Sequence, residues 1–418
     1  MDWPIAFRAM WLGQTVSSVG SQISLVAIPI IAALTLHAGP FEMAVLGALE
    51  TAPFVLVAMP AGVLADRRDR RQLLIACDVA RALGMASIPV AFATGYGSFM
   101  VLCAAAIVVG ACSALFTVSQ QAYVPELVDE ALLVRANQRL EISESGARVA
   151  GPGLASLLFG LVGAVVAVAL DAISYLASAL FLAFAPSPAR AARPAAGEGS
   201  TVKQIAAGIR FVWHEPTLRA LLISTTIFNL ASGMVLAQLV LYAMGRLGID
   251  AAGFGLTIGI GNIGFVVGAL LVGRLETRFG TGLVVLVAAA LGAVALWLIA
   301  LAPAVGGFAM LVAGRFAGAL SAPIYNVLLV SVRQARSPDA LRARVVATFR
   351  TVDWATAPVG ALLSAAIGVP FGVSTVMLCA AVIGTMSFVW LLQPAVREAR
   401  MDRGGARSAT LELNLEAR

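Results

Sequence analysis

The sequence predicts an all-α membrane protein of twelve transmembrane helices in two pseudo-symmetric six-helix bundles. Three observations predict it. Apolar residues make up 60% of the 418 positions and charged ones 12%, with a mean hydropathy of +0.93; soluble domains carry about 25% charge and ~45–50% apolar residues. Twelve apolar stretches, each long enough to cross a bilayer, are separated by charge or by Gly and Pro. The basic residues fall almost entirely on alternate connections. A disordered chain lacks the apolar content that this one has in excess.

The stretches run near 9–36, 41–65, 73–95, 98–121, 138–162 and 164–186, then 218–244, 252–273, 281–303, 306–331, 345–368 and 371–392. The first is too long for the apolar region of a cleavable leader. The second carries Glu50 and ends in a charged motif, and the third opens on Asp78 and Arg81. Gly151-Pro152-Gly153 interrupts the fifth, where the proline removes a backbone hydrogen bond and lets the helix bend. Asp171 lies about two turns into the sixth. The eighth contains Gly255-xxx-Gly259 and Gly264-xxx-Gly268, spacings that allow close helix packing. The ninth has almost no polar residue and suits lipid on every side.

Between 187 and 217 the character changes. Pro186-Ser187-Pro188 opens an Ala/Arg/Pro/Gly linker. Residues 200–213 then set Val202, Ile205, Ile209 and Val212 on one helical face, the pattern of an amphipathic helix at a membrane surface. The expected organisation is a bundle over 1–186, this linker over 187–217, a second bundle over 218–393 and a tail over 394–418.

Arg8, Arg67, Arg68, Arg70, Arg71, Arg135, Lys203, Arg210, Arg274, Arg278, Arg333, Arg336, Arg342 and Arg344 share one side, and only Arg246 lies on the other. Basic loops stay in the cytoplasm, so both termini and the central linker are expected there, in a plasma membrane. All 28 basic residues but Lys203 are arginine and the isoelectric point is 9.6. No basic face interleaved with exposed aromatics accompanies them, so no nucleic-acid partner is expected. Cys77, Cys103, Cys112 and Cys379 sit inside apolar stretches without a CxxC, as buried small hydrophobes rather than metal ligands. No nucleophile triad, zinc motif or phosphate-binding loop is present, so neither an enzyme, a cofactor nor a resident metal is expected.

The halves repeat one another. Gly62-Val-Leu-Ala-Asp-Arg67 matches Gly273-Arg-Leu-Glu-Thr-Arg278, and Gln121-Ala-Tyr-Val-Pro125 matches Gln334-Ala-Arg-Ser-Pro338. Gly151-Pro152-Gly153 recurs loosely as Ala357-Pro358-Val359. Such repeats give secondary transporters two bundles that rock about a central site. Polar residues concentrate in stretches 1, 4, 7 and 10, which are therefore expected to line an internal cavity. Its candidate substrate-facing residues are Gln14, Gln22, Asn229, Arg315, Tyr325 and Asn326.

Residues 62–74 resemble the signature between helices 2 and 3 of the major facilitator superfamily, G-x-L-a-D-R-x-G-R-R/K-x-x-L. The match holds at Gly62, Leu64, Ala65, Asp66, Arg67, Arg70, Arg71 and Leu74, and departs at Asp69, where the family has glycine. Phe7 to Thr15, Ala136-Asn137, Gly151-Pro152, Asp171 to Tyr175, Gly208 to Phe211 and Arg342-Ala-Arg344 resemble the drug and siderophore exporter branch, which includes the enterobactin exporter and the macrolide efflux proteins. The resemblance spans the chain to about Gln393. It implies the major facilitator fold and export, and the helix-5 Gly-Pro signature, with Ala155-Ser156 in place of its trailing glycines, implies antiport.

On physical grounds Gly62, Asp66, Arg67, Arg70 and Arg71 are a candidate latch, with Asp66 accepting from a helix N-terminus of the other half. Ionised groups in hydrocarbon are costly, so each asks for a reason. Glu50, isolated in mid-helix, is the first proton-coupling candidate. Glu144 and Asp171 are the second, Glu144 sharing a face with Arg148 and with Glu141 one turn back. Asp353 with Arg350, and Asp78 with Arg81, are expected as structural pairs. The sequence thus predicts a monomeric, proton-driven exporter of a small amphipathic organic compound, with protons, substrate and lipid as partners. A nutrient symporter and a non-transporting sensor of the same fold are the alternatives.

Overall fold

The computed structural model describes residues 3–186 and 209–393, so the linker before 209 and the tail lie outside the described residues. Twelve long helices follow in order: α1 (Ile5–Ile30), α2 (Pro40–Arg67), α3 (Arg70–Ala93), α4 (Phe99–Leu127), α5 (Glu130–Val162) and α6 (Ala164–Phe184), then α7 (Pro216–Val240), α8 (Ala251–Phe279), α9 (Thr281–Ala300), α10 (Gly307–Arg336), α11 (Asp339–Phe371) and α12 (Val373–Leu391). Eleven segments among the described residues are long and apolar enough to cross a membrane, and α2 adds a further helix of 28 residues. No strand occurs among the described residues. Several helices outrun their apolar stretches: α5 starts at Glu130 rather than 138, and α11 at Asp339 rather than 345. Arg, Glu and Leu are good helix formers, so the backbone continues past the apolar boundary.

The first six helices pack on one another, α1 against α5 and α6, α3 against α4 and α6, and α2 against α4. The last six repeat the plan, with α7 against α11 and α12, α10 against α8 and α9, and α9 against α12. The repeat reaches the backbone. Gly163 joins α5 to α6 at φ 80° and ψ 161°, and Gly372 joins α11 to α12 at φ 81° and ψ 163°. An L side chain is strained there, so each one-residue connection needs glycine. α1 and α7 both continue into a π-helical turn, Ile31–Thr35 and Leu241–Arg246. The chain leaves each turn with the same two bonds: Leu36 N–H to Ile31 O and Ala38 N–H to Ala32 O, against Leu247 N–H to Tyr242 O and Ile249 N–H to Ala243 O. Of the sequence repeats, Pro125 lies inside α4 whereas Pro338 caps α11, so that pair is offset.

The two halves meet through α2 with α7 and α11, and through α5 with α8. These contacts lie in the helix halves away from the termini. Ala48, Ala237 and Ala361 form one buried cluster across the halves. Gln238 Nε2 of α7 donates to Pro40 O of α2 (2.8 Å) and to Ser364 Oγ of α11 (2.9 Å). In the second seam Ser156 Oγ donates to Ala252 O (2.6 Å) and Asn262 Nδ2 to Arg148 O (2.6 Å). The two glycine pairs of α8 serve different contacts. Gly255 and Gly259 lie against Pro152, Ser156 and Gly153 of the other half, and Gly264 and Gly268 against Phe316 and Leu320 of α10.

Candidate functional site

The seams on that side form the floor of a cavity of about 370 Å³ between the halves, within the usual range for small-molecule sites. Its walls come from α1, α2 and α5 of the first half and α7, α8, α10 and α11 of the second. Helix 4 takes no part, contrary to the polarity pattern. Its Thr117 Oγ1 donates to Ser113 O one turn back (2.8 Å), so its hydroxyl needs no water, and Ser119 is buried. The helices that replace it include α2 and α11, which present Gly47, Ala357 and Ala361 at the wall, small apolar residues that carry no polarity signal.

Polar groups are few and come from opposite walls. Gln22 of α1 and Glu50 and Thr51 of α2 face Asn262 of α8 and Arg315 of α10, with Arg148 and Pro152 of α5 alongside. Close glycines make room for two of them. A Cβ on Gly151 would lie 2.3 Å from that of Gln22, and one on Gly261 would lie 2.6 Å from that of Arg315. The mid-helix position of Arg315 thus requires Gly261 on the neighbouring helix. Neither Glu50 nor Arg315 has a hydrogen-bond or ion-pair partner among the described residues, and Arg315 Nε is buried without one. Glu50 and Arg315 are therefore not paired with each other: both line the same chamber, Glu50 free to meet a proton and Arg315 a solute. The remaining wall is apolar, with Leu25, Val26, Met43, Phe254, Ile258 and Phe265.

Arg148 donates to Glu144 Oε1 (2.5 Å), the pair expected from their spacing, and its guanidinium lies 5.9 Å from the Phe265 ring centroid across the seam. Asn262, Phe265 and Thr51 were not singled out by the sequence, where each stands as an ordinary residue of an apolar helix.

The other candidate residues lie elsewhere. Gln14 Nε2 donates to Ser18 Oγ (3.4 Å). Asn229 Nδ2 donates to Asp353 Oδ1 (3.2 Å), so Asp353 is bonded to α7 and makes no ion pair with Arg350 among the described residues. Tyr325 Oη lies 3.1 Å from Thr225 Oγ1, and Asn326 is exposed. Asp171 is fully buried among α1, α3 and α6, behind the chamber wall.

Gly62, Asp66 and Arg67 fall where side chains lie outside the described residues. Arg70 and Arg71 are described, and both brace the first half. Arg70 Nη1 donates to Glu126 Oε1 (2.6 Å) and Ala122 O (2.8 Å) of α4. Arg71 donates to Leu182 O (2.8 Å) and Ala183 O (2.6 Å), terminal carbonyls of α6, of which Leu182 O also accepts from Ala185 N–H (3.3 Å). Of the amphipathic segment, 209–214 is helical, with Val212 buried and Ile209 exposed.

Macrolide efflux protein A of Streptococcus pyogenes is 25% identical over 399 residues, covering 92% of this chain and 96% of its own. The multidrug efflux pump Tap of Mycolicibacterium fortuitum is 26% identical over 378 residues, covering 86% and 87%. Among solved structures, the nucleoside transporter NupG superposes with a TM-score of 0.73 at 13% identity, over 94% of this chain and all of its own. A bacterial homologue of the iron transporter ferroportin gives 0.69 at 16%, over 93% and 99%. The family model described as transmembrane secretion effector matches residues 4–414. The chain belongs to that family, a transporter family of the major facilitator superfamily.

Proposed function

We propose that the protein is a proton-coupled exporter of small amphipathic organic compounds, working as a monomer by alternating access in the plasma membrane. The observation that carries this reading is the chamber between the halves: apolar over most of its wall, with Glu50 and Arg315 unpartnered on opposite sides. With both termini in the cytoplasm, the seams on the far side make this the inward-open state, ready to load from the cytosol. The macrolide and multidrug efflux relatives support export and an amphipathic substrate class.

In the cycle, an apolar solute leaves water for the chamber wall while a polar group on it meets Glu50 or Arg315. Separation of α5 from α8 and of α2 from α11 then opens the far side. Glu50 binds a proton there and releases it to the cytoplasm, which resets the carrier. Glu144 and Asp171 remain second candidates for that role. The latch of Gly62, Asp66, Arg67, Arg70 and Arg71 would close the termini side in the outward-open state.

The test uses inside-out membrane vesicles with an acidic lumen and a radiolabelled macrolide. The expected result is accumulation that a protonophore abolishes and that Glu50→Gln lowers at least tenfold at equal expression. Accumulation indifferent to both refutes the proton coupling. Movement only out of the vesicles indicates uptake in the cell, and no movement with saturable binding indicates a sensor.

A further inference from the structure

Behind the chamber, the first half contains a second group of ionisable residues, of which the transport reading names only Asp171, as a second candidate. Asp78 and Arg81 of α3 and Asp171 of α6 are 0%, 5% and 0% exposed. Arg81 donates to Asp78 Oδ1, and its guanidinium is held between the rings of Phe116 (4.2 Å) and Tyr175 (4.4 Å). Asp171 stands one turn before Tyr175 and makes no ion pair with Arg81, though it lies within reach of that charge. Cys77 of α3 and Cys112 of α4 complete the titratable groups here, and neither α1 nor α5 adds one.

The charges do not balance as they stand: two buried carboxylates, of which only Asp78 is paired, are accompanied by one buried guanidinium. Asp78 Oδ2 and Asp171 Oδ2 are both buried without a well-formed hydrogen bond, and the groups beside them, the Ser178 and Ser24 hydroxyls, are neutral. Asp171 Oδ1 accepts from Ser174 Oγ (3.1 Å), a neutral donor that cannot replace a counter-charge. One proton bound by the pair makes the group neutral, and a carboxyl O–H at an orphaned Oδ2 requires no new cation. Water has little room to supply the balance. A Cβ on Gly20 of α1 would lie 2.3 Å from Ser174 Oγ and 2.6 Å from Asp171 Oδ1, so the α1 backbone closes directly over the group.

We propose that Asp78, Asp171 and Arg81 form a proton-binding site separate from the chamber, in which the two carboxylates share one proton. Its position gives it a lever. α1 rests on the site through Gly20 and faces the chamber through Gln22, two residues on. Loss of the proton leaves a net negative charge under α1 and loosens its seating on α6. Ser21 Oγ, 2.8 Å from Tyr175 Oη, offers hydroxyls between the site and the chamber side of α1 for the proton to follow. This use of the proton rests on the proton-coupled reading; its presence does not.

The experiment reads the proton without transport. The full chain in lipid nanodiscs is followed by infrared spectroscopy for the carboxylic-acid C=O stretch, unlabelled and with aspartate isotopically labelled at its side-chain carboxyl carbon. The expected result is a single label-shifted acid band that disappears in both Asp171→Asn and Asp78→Asn, doubles in Arg81→Gln and survives in Glu50→Gln. Labelled wild-type protein gives a result even if a variant does not fold. Absence of any acid band that shifts with the aspartate label, or a label-shifted band that persists in both asparagine variants or vanishes in Glu50→Gln, overturns the site. Proton-coupled export through Glu50 stands or falls on the vesicle assay alone.

Discussion

Adding one methyl group at Gly255 should turn the transporter outward. A Cβ there would lie 2.7 Å from Ser156 Cβ and 3.1 Å from Pro152 O. Carbon atoms in contact normally stand about 3.5–4.0 Å apart, so α5 and α8 must separate by about 1 Å. The Ser156 Oγ to Ala252 O bond of 2.6 Å spans the same seam and lengthens with it. Overpacking of this kind costs about 1–3 kcal/mol. The cost falls on the state in which the seam is shut, so the shut state loses about 5–150-fold in population against the state in which the halves part there. The assay introduces Leu25→Cys on the chamber wall in a background lacking the native cysteines and measures its modification by a membrane-impermeant maleimide from the side away from the termini. Gly255→Ala should raise the rate at least fivefold, by the lower bound of that shift. Gly264→Ala is the control: its Cβ would lie 2.4 Å from Phe316 O, but both residues belong to the second half. It should lower the melting temperature without altering exposure. Equal labelling in Gly255→Ala and wild type, or an equal rise in Gly264→Ala, refutes the assignment of α5–α8 as a moving seam.

Gln238→Leu should also open the far side, because it removes two hydrogen bonds that join α7 to α2 and α11; the same maleimide labelling at Leu25→Cys checks it, with a loss of about 1–3 kcal/mol for the unpaired acceptors. Arg71→Ala should lower the unfolding free energy by about 1–3 kcal/mol, since it removes the donor to Ala183 O and one of the two donors to Leu182 O, as read by thermal unfolding in detergent, while labelling stays unchanged. Asp66→Asn should insert and fold normally but transport poorly, and vesicle accumulation equal to wild type at equal expression removes the latch from the mechanism.

The helices were legible because bilayer thickness imposes a length and an apolarity that no other demand mimics. The repeat was legible too, although its proline pair at Pro125 and Pro338 is offset by the differing ends of α4 and α10. The chamber wall was only half legible. Polarity marks a residue that needs a partner, but it does not say whether water or a neighbouring helix provides it. Asn229 and Tyr325 are met by Asp353 and Thr225, and Thr117 by its own helix. The walls from α2, α5, α8 and α11 are built of Gly, Ala and Pro where the halves approach, and such residues look alike in a fixed contact and in a moving one. Gly255 and Gly264 share a helix and a motif, and only their partners separate them. The Asp353–Arg350 spacing was compatible with a pair; Asn229 from α7 is bonded there instead.

The wide turns that end α1 and α7 are one joint built twice. Ile31 to Thr35 and Leu241 to Arg246 share no obvious wording, yet each admits an additional residue per turn and releases the chain through the same pair of amide bonds. The same backbone path is thus reached with two different sets of side chains. A designer who trims one residue from either turn rewinds the helix and swings the following loop off its seat, so the two halves would cease to be mirror tools of a single joint.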